Sequence, residues 1–104
     1  MKAINNLEEI LKVKGIHSTL IGPRDLSGSI GKAGDYKNKK FLKALLKYEK
    51  LSKQYDVKMG MHVAFPKTET LNKFIRKGYK FLAIGTDMTF LGDTIREKIK
   101  KIKK

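Results

Sequence analysis

Three short apolar runs, separated by longer segments with helical periodicity, restrict the possible folds of this sequence more than any other feature. The runs cover residues 18–21, 58–64 and 81–85. In the segments between and around them, apolar residues recur every three or four positions, as on one face of a helix. Connections of that length join parallel strands through right-handed crossovers. The sequence therefore predicts an α/β domain with the order α-β-α-β-α-β-α and a parallel sheet.

The apolar periodicity predicts helices over residues 6–13, 36–55 and 69–77, and from residue 91 to the end. In the longest of these, a buried stripe is predicted opposite a lysine-rich face; the stripe comprises Phe41, Leu42, Leu45, Leu46 and Leu51. Leu71, Phe74 and Ile75 are expected to face inwards from the third helix, with Thr68 as its cap. The last helix has a single apolar stripe formed by Leu91, Ile95, Ile99 and Ile102.

The strong positive charge raises the question of nucleic-acid binding. The 104 residues carry 24 Lys and Arg against 10 Asp and Glu, a formal net charge of +14. A basic domain of this size can bind phosphates. However, 21 of the 24 basic residues are Lys, spread over every segment, whereas specific readers of nucleic acid favour Arg. No helix-turn-helix, zinc-finger or aromatic RNA-binding pattern is present, which disfavours a nucleic-acid partner.

Length and composition indicate one small domain over residues 1–104. The sequence has no cysteine, which excludes disulfides, thiolate metal sites and cysteine nucleophiles. No apolar run is long enough to span a membrane. The first 15 residues lack the apolar core of a signal peptide, so a cytoplasmic location is expected.

Residues 20–31, LIGPRDLSGSIG, are the best candidate for chemistry. An apolar run ends at Gly22-Pro23, a carboxylate follows at Asp25, and residues 28–35 are predicted to form a loop. The carboxyl ends of parallel strands are where α/β proteins place their sites. On the residues alone, two readings of Asp25 stay open: a functional carboxylate held by a stiff turn, or a residue that caps backbone N–H groups.

This segment resembles the G-P-x-D-L-S-x-S-x-G motif of the HpcH/HpaI aldolase/citrate lyase family, which includes metal-dependent pyruvate aldolases. Downstream, VKMGMHVAF is similar to the next strand of the family, and GYKFLAIGTDMTFL to its last strand and turn. The resemblance implies the C-terminal three βα units of a TIM (β/α)₈ barrel, hence a partial barrel, because a complete one needs about 250 residues.

The resemblance also implies roles for individual residues. Asp25 is one of two carboxylates that hold a divalent metal, Mg²⁺, Mn²⁺ or Co²⁺. Gly22, Pro23 and Arg24 form the floor beneath the carboxylate of pyruvate, with the amides of Arg24 and Asp25 as donors. Leu91 is an apolar wall. Members of the family commonly have a small residue at the position of Arg24. Arg24 is therefore interpreted either as a cation that binds an acidic substrate or as a solvated surface side chain.

The other candidate residues have structural readings that compete with functional ones. Ser27 and Ser29 lack the G-x-S-x-G elbow and a His–Asp pair, so capping and loop packing are expected of them. His62 is read as a proton shuttle or as a packed strand histidine. Asp87, after the third strand, either lines the pocket or caps the last helix.

The implied activity is a carbon–carbon lyase reaction: reversible aldol cleavage of a 4-hydroxy-2-oxo acid to pyruvate and an aldehyde. No residue of this sequence matches the second metal carboxylate, the general-base histidine or the enolate-stabilising arginine of the family. We therefore expect a fragment that is inactive without the missing part of the barrel, and whether the chain is an enzyme by itself stays open.

Two alternatives are a citrate-lyase-like acyl-CoA lyase fragment and a basic nucleic-acid-binding module. Bare sheet edges further predict pairing with the missing barrel half or self-association.

Overall fold

The computed structural model describes residues 1–102, which form an α/β fold with parallel strands. The helices are α1 (Lys2–Asn5), α2 (Leu7–Leu11), α3 (Pro23–Ile30), α4 (Lys39–Gln54), α5 (Thr68–Arg76) and α6 (Asp87–Ile102). The strands are β1 (Gly60–Val63) and β2 (Phe81–Ile84). The predicted helices and strands are largely confirmed in type and order, because each element follows an uninterrupted apolar period.

The two strands pair in parallel, with Gly60 opposite Phe81 and Val63 opposite Ile84. The segment 18–21 lies along the other side of β1. The amides of Thr19 and Ile21 donate to the carbonyls of Lys58 and Gly60, both at 3.0 Å. The spatial order is therefore segment 18–21, β1, β2, the same as the order in the chain.

A tyrosine explains why the predicted strand 18–21 forms only isolated bridges, Ser18 to Lys58 and Ile21 to Met61. In a regular parallel ladder the amide of Gly60 would donate to the carbonyl of Thr19. Instead it donates to Tyr48 Oη at 3.0 Å, and the same hydroxyl lies 2.7 Å from Thr19 Oγ1. A Cβ at position 60 would overlap Thr19 O, so this close approach of the two backbones requires glycine.

Several predicted boundaries were wrong for local reasons. The first predicted helix is two helices that meet at Asn6. The predicted loop from residue 28 is helical up to Ile30, since Gly22 and Pro23 begin α3. Asn38, whose side chain accepts from the amide of Lys40 at 2.8 Å, starts α4 later than predicted. Thr68 is the first residue of α5 rather than its cap, and α6 begins at Asp87 rather than at Leu91.

The core lies almost entirely in the first two thirds of the chain. Every buried apolar residue of the described structure except Tyr79 lies at or before Val63. From α4, Phe41 and Leu45 are buried as predicted, while Leu42 and Leu46 are exposed. Leu71 and Phe74 of α5 pack against the core, and Ile75 is exposed.

The apolar stripe of α6 is exposed along its length, and neither α5 nor α6 has a buried residue. The dimensions are 56 × 28 × 21 Å, and the radius of gyration is 16.2 Å. A compact chain of this length has a radius of gyration of about 13 Å. The elongated shape follows because α6 has no second layer to pack on. In residues 1–102, no helix combines the length and apolarity needed to cross a bilayer.

Candidate active site

The carboxyl ends of the three parallel segments meet at one edge, because parallel strands all end on the same side. Ile21, Val63 and Ile84 are the last residues of these segments, and the residues that follow them share this edge. The sequence-predicted site residues Gly22 to Asp25 follow the first segment. Leu91 belongs to α6, which follows the third. The topology thus places Gly22 to Asp25 at this edge, whereas Leu91 lies within α6, beyond its first turn.

Asp25 lies in the first turn of α3, with Gly22 as the N-cap and Pro23 at the first helical position. Proline fits there because the position needs no amide donor, and its fixed φ suits the helix. The carboxylate of Asp25 is exposed and folds back towards Gly22, so that a Cβ on Gly22 would lie 3.3 Å from Asp25 Oδ2. The positive end of the helix dipole favours a carboxylate in this turn. The turn predicted to hold Asp25 is therefore a helix start.

The amides at this helix start are available to an anion. The first intrahelical bond of α3 runs from the amide of Leu26 to the carbonyl of Gly22, at 2.9 Å. The amides of Arg24 and Asp25 precede it and have no acceptor within the helix. Such N–H groups, together with the dipole, form a common binding site for carboxylates and phosphates. The role of Gly22, Pro23 and Arg24 as a floor for a substrate carboxylate stays a prediction.

Ser27 anchors the loop that follows α3. Its side chain is 2% exposed, donates to Arg24 O at 3.0 Å and accepts from the amide of Gly34 at 2.9 Å. The loop therefore folds back along α3, and a Cβ on Gly34 would lie 3.7 Å from Arg24 Nη1. Loop packing, the structural reading of Ser27, is confirmed. Arg24 is exposed and lies beside this loop.

The end of β2 is held by a reciprocal pair of threonines that sequence reasoning missed. The amide of Thr86 donates to Thr89 Oγ1 at 2.8 Å, and the amide of Thr89 donates to Thr86 Oγ1 at 3.0 Å. This arrangement satisfies the first amides of α6 as a capping box does. The T-x-x-T spacing of residues 86–89 was the available signal. Asp87 is the first residue of α6, and its carboxylate accepts from the amide of Met88 at 2.8 Å, so it lies within the first turn rather than at the cap.

His62 and Gly85 link β1 to the same turn. His62 Nε2 lies 3.1 Å from the carbonyl oxygen of Gly85, and the imidazole is half-buried. Gly85 has φ +65°, and a Cβ there would lie 2.6 Å from the ring of Phe90. This contact, together with the half-buried ring, supports the interpretation of His62 as a packed strand histidine. Leu91, one residue beyond Phe90, is 65% exposed.

Asp25 provides one hard oxygen donor of the kind that Mg²⁺ and Mn²⁺ prefer. In the described residues, no group of three or more His, Cys, Asp or Glu side chains is close enough together to hold a metal ion. The carboxylate of Asp25 thus fits one ligand position of a divalent cation. The other ligands would come from groups outside residues 1–102.

A family comparison agrees with this geometry. The model of the family described as HpcH/HpaI aldolase/citrate lyase matches residues 1–93. The chain belongs to this family. Among its relatives are the hydroxypyruvate/pyruvate aldolase of Roseovarius nubinhibens, 28% identical over 98 residues, and the 4-hydroxy-2-oxo-heptane-1,7-dioate aldolase of Escherichia coli, 29% identical over 90 residues. These matches cover 94% and 86% of this chain.

Two crystal structures of HpcH/HpaI proteins have the same fold over nearly the whole chain. The protein from Burkholderia cenocepacia J2315 has a TM-score of 0.88 at 22% identity, over 97% of this chain and 38% of its own. The aldolase from Desulfitobacterium hafniense DCB-2 has a TM-score of 0.88 at 25% identity, over 100% of this chain and 40% of its own. The chain spans 37% and 34% of the Roseovarius and Escherichia coli aldolases.

Proposed function

We propose that this chain supplies the pyruvate- and metal-binding part of a class II pyruvate aldolase active site. The proposed reaction is the reversible cleavage of a 4-hydroxy-2-oxo acid to pyruvate and an aldehyde. The observation that carries the proposal is the start of α3, where an exposed carboxylate and two amides without helical acceptors lie at the carboxyl edge of a parallel sheet. Family membership supports it, as do the aldolase activities for which the two relatives are named.

The residues of this chain would bind and orient the 2-oxo acid. The amides of Arg24 and Asp25 would donate to its carboxylate, and the absence of a side chain at Gly22 would let it approach the backbone. Leu91 would contribute apolar surface beside the aldehyde portion. Asp25 would be a ligand of Mg²⁺, Mn²⁺ or Co²⁺, and such an ion, when bound, polarises the 2-oxo group as a Lewis acid.

The remaining groups of the site would come from further βα units. In the described residues, no group of three or more His, Cys, Asp or Glu side chains includes Asp25. A second metal-binding carboxylate and a proton-transfer group would therefore lie outside them. We therefore propose that residues 1–102 form the last three βα units of a (β/α)₈ barrel and that the chemistry requires the other five. Eight parallel strands close such a barrel.

The test is a single-chain fusion protein in which this chain replaces its matching part of the Escherichia coli aldolase. Mn²⁺ affinity is measured by electron paramagnetic resonance, and pyruvate release from 4-hydroxy-2-oxo-heptane-1,7-dioate is measured in a coupled assay. Asp25→Ala should weaken Mn²⁺ binding at least tenfold and remove activity. Asp93→Ala, which removes an exposed carboxylate from α6, is the matched control and should change neither. Equal Mn²⁺ affinity in the two variants would contradict the proposal.

A further inference from the structure

We propose that a lysine-lined cavity, at the opposite end of the sheet from Asp25, binds the phosphate group of a small anion. The cavity has a volume of about 180 Å³ and lies where the end of α4 meets the turn between α5 and β2. Its lining includes Ser52, Lys53, Lys58 and Lys80. These residues precede β1 and β2, whereas Asp25 follows a strand segment, so the site is separate from the proposed active site.

The charge of the cavity favours a dianion. Three lysines and one carboxylate, that of Asp56, line it, which gives a formal charge of +2. Among residues 1–102, none of the three lysines forms an ion pair with a carboxylate. A phosphate group carries a charge of about −1.5 to −2 at pH 7, and lysine is a common phosphate ligand. The lining therefore matches a phosphate better than a monocarboxylate.

Ser52 is a second, independent indication of a ligand. The residue is 0% exposed, and in the described structure its hydroxyl is the one buried polar side-chain group without a hydrogen-bond partner. Buried polar groups are nearly always hydrogen-bonded, because an unpaired one costs stability. Since Ser52 lines the cavity, a phosphate oxygen bound there provides the missing acceptor.

Backbone contacts hold the two sides of the cavity together. The amide of Lys80 donates to Met59 O at 3.0 Å, which ties the turn before β2 to the residue before β1. Gly78, at φ +97°, forms that turn, and a Cβ there would lie 4.0 Å from Lys53 Cε. The Lys53 side chain thus extends from the end of α4 to this turn. Residues 52–59 and 78–80 therefore place their lysines around one cavity.

The volume restricts the ligand to a small molecule. A water molecule takes up about 30 Å³ in the liquid, so the cavity corresponds to about six waters. Pockets for drug-sized ligands measure about 300–1,000 Å³. The cavity is therefore of the size for a phosphate group with few further atoms, and it is too small to enclose a nucleotide. The phosphate comes either from inorganic phosphate or from a small phosphate monoester.

The test is a titration of the complete ¹⁵N-labelled chain with inorganic phosphate, followed by amide chemical shifts. Ionic strength is held constant, because salt screens exposed charges. Saturable shifts are expected at the amides of residues 52–59 and 78–80. A parallel titration with glycerol 3-phosphate separates the two sources. Tighter binding than that of inorganic phosphate indicates a monoester, and equal or weaker binding indicates the free ion; both support the site.

Two double variants test the lysines. Lys53→Gln with Lys80→Gln should weaken phosphate binding about tenfold, since two charged donors are lost from the site. Lys43→Gln with Lys47→Gln removes the same charge from exposed positions of α4 that do not line the cavity, and should change the affinity less than about twofold.

Two single variants separate a ligand contact from a structural role. Because the Ser52 hydroxyl has no partner in the free chain, Ser52→Ala should leave the free energy of unfolding unchanged or raise it, yet weaken phosphate binding about fivefold. Asp56→Asn removes the carboxylate and keeps a side chain that tolerates the φ of +54°, so it should tighten binding about threefold. This gain keeps the test decisive if the lysine variant does not fold.

Several results would overturn the inference. They are equal affinity losses in the two double variants, an unchanged affinity in Ser52→Ala, no gain in Asp56→Asn, or acetate binding as tightly as phosphate. Shifts confined to residues 24–26 would place the phosphate at the start of α3 instead. Shifts spread over the lysines of every segment would indicate non-specific binding of anions to the basic surface, as a nucleic-acid backbone would also give.

Discussion

Tyr48→Phe is the change that most directly tests how segment 18–21 is held against β1. The Tyr48 side chain is 1% exposed, and its hydroxyl accepts from the amide of Gly60 and lies 2.7 Å from Thr19 Oγ1. Removing the hydroxyl leaves a buried amide without an acceptor and a half-buried hydroxyl without a partner. A buried unsatisfied group costs about 1–3 kcal/mol, and the Thr19 hydroxyl can turn towards water, so we expect a loss of about 2 kcal/mol.

The assay is urea unfolding followed by circular dichroism. For a domain of this size the free energy of unfolding falls by about 1–2 kcal/mol per molar urea, so the midpoint should fall by about 1–2 M. Tyr36→Phe removes an exposed hydroxyl and should change the free energy of unfolding by less than about 0.5 kcal/mol. Thr19→Val completes a double-mutant cycle with Tyr48→Phe and should show coupling above about 0.5 kcal/mol.

A loss below about 0.5 kcal/mol in Tyr48→Phe would refute the reasoning, since such a result is within the range of a surface change. It would mean that the amide of Gly60 moves back to the carbonyl of Thr19 and that the parallel ladder closes without the tyrosine. Faster hydrogen exchange at the amide of Gly60 in the variant would support the original interpretation instead.

Three further predictions concern helix ends and pH. Asp56, at φ +54°, occupies the left-handed position of a Schellman motif at the end of α4, so Asp56→Gly should raise the free energy of unfolding by about 0.5–1 kcal/mol. Gly78 occupies the same position after α5, and Gly78→Ala should lower it by about 1–2 kcal/mol in the same urea assay; equal effects in the two variants would contradict this. Burial, followed by the hydrogen bond to Glu49, raises the pKa of Tyr79 in the folded state, so stability should fall as pH rises above about 10, where tyrosine ionises in the unfolded chain. Tyr79→Phe should flatten this fall in urea titrations from pH 8 to 11, and an unchanged slope relative to Tyr36→Phe would count against it.

The fold type was predictable because its signals are local. Each helix and strand follows an apolar period that can be read over 4–16 residues, and lengths between the runs require parallel pairing. The capping errors had local signals as well. Pro23 followed by Asp25 is a typical helix start, and Thr86 followed by Thr89 is a typical reciprocal cap. Both helix starts therefore depend on neighbouring residues and are predictable from the sequence.

The sequence by itself determined the family motif, the alternating order of helices and strands, and the placement of Asp25 at the carboxyl edge, because each depends on neighbouring residues. Only the tertiary structure showed that Tyr48 interrupts the ladder at Gly60 and that Ser27 holds the loop after α3, since both depend on contacts between residues far apart in the chain or on different elements. It likewise decided which apolar stripes are covered. The periodicity of α6 predicts an apolar face, but whether that face is buried depends on what packs against it, and residues 1–102 provide no such layer.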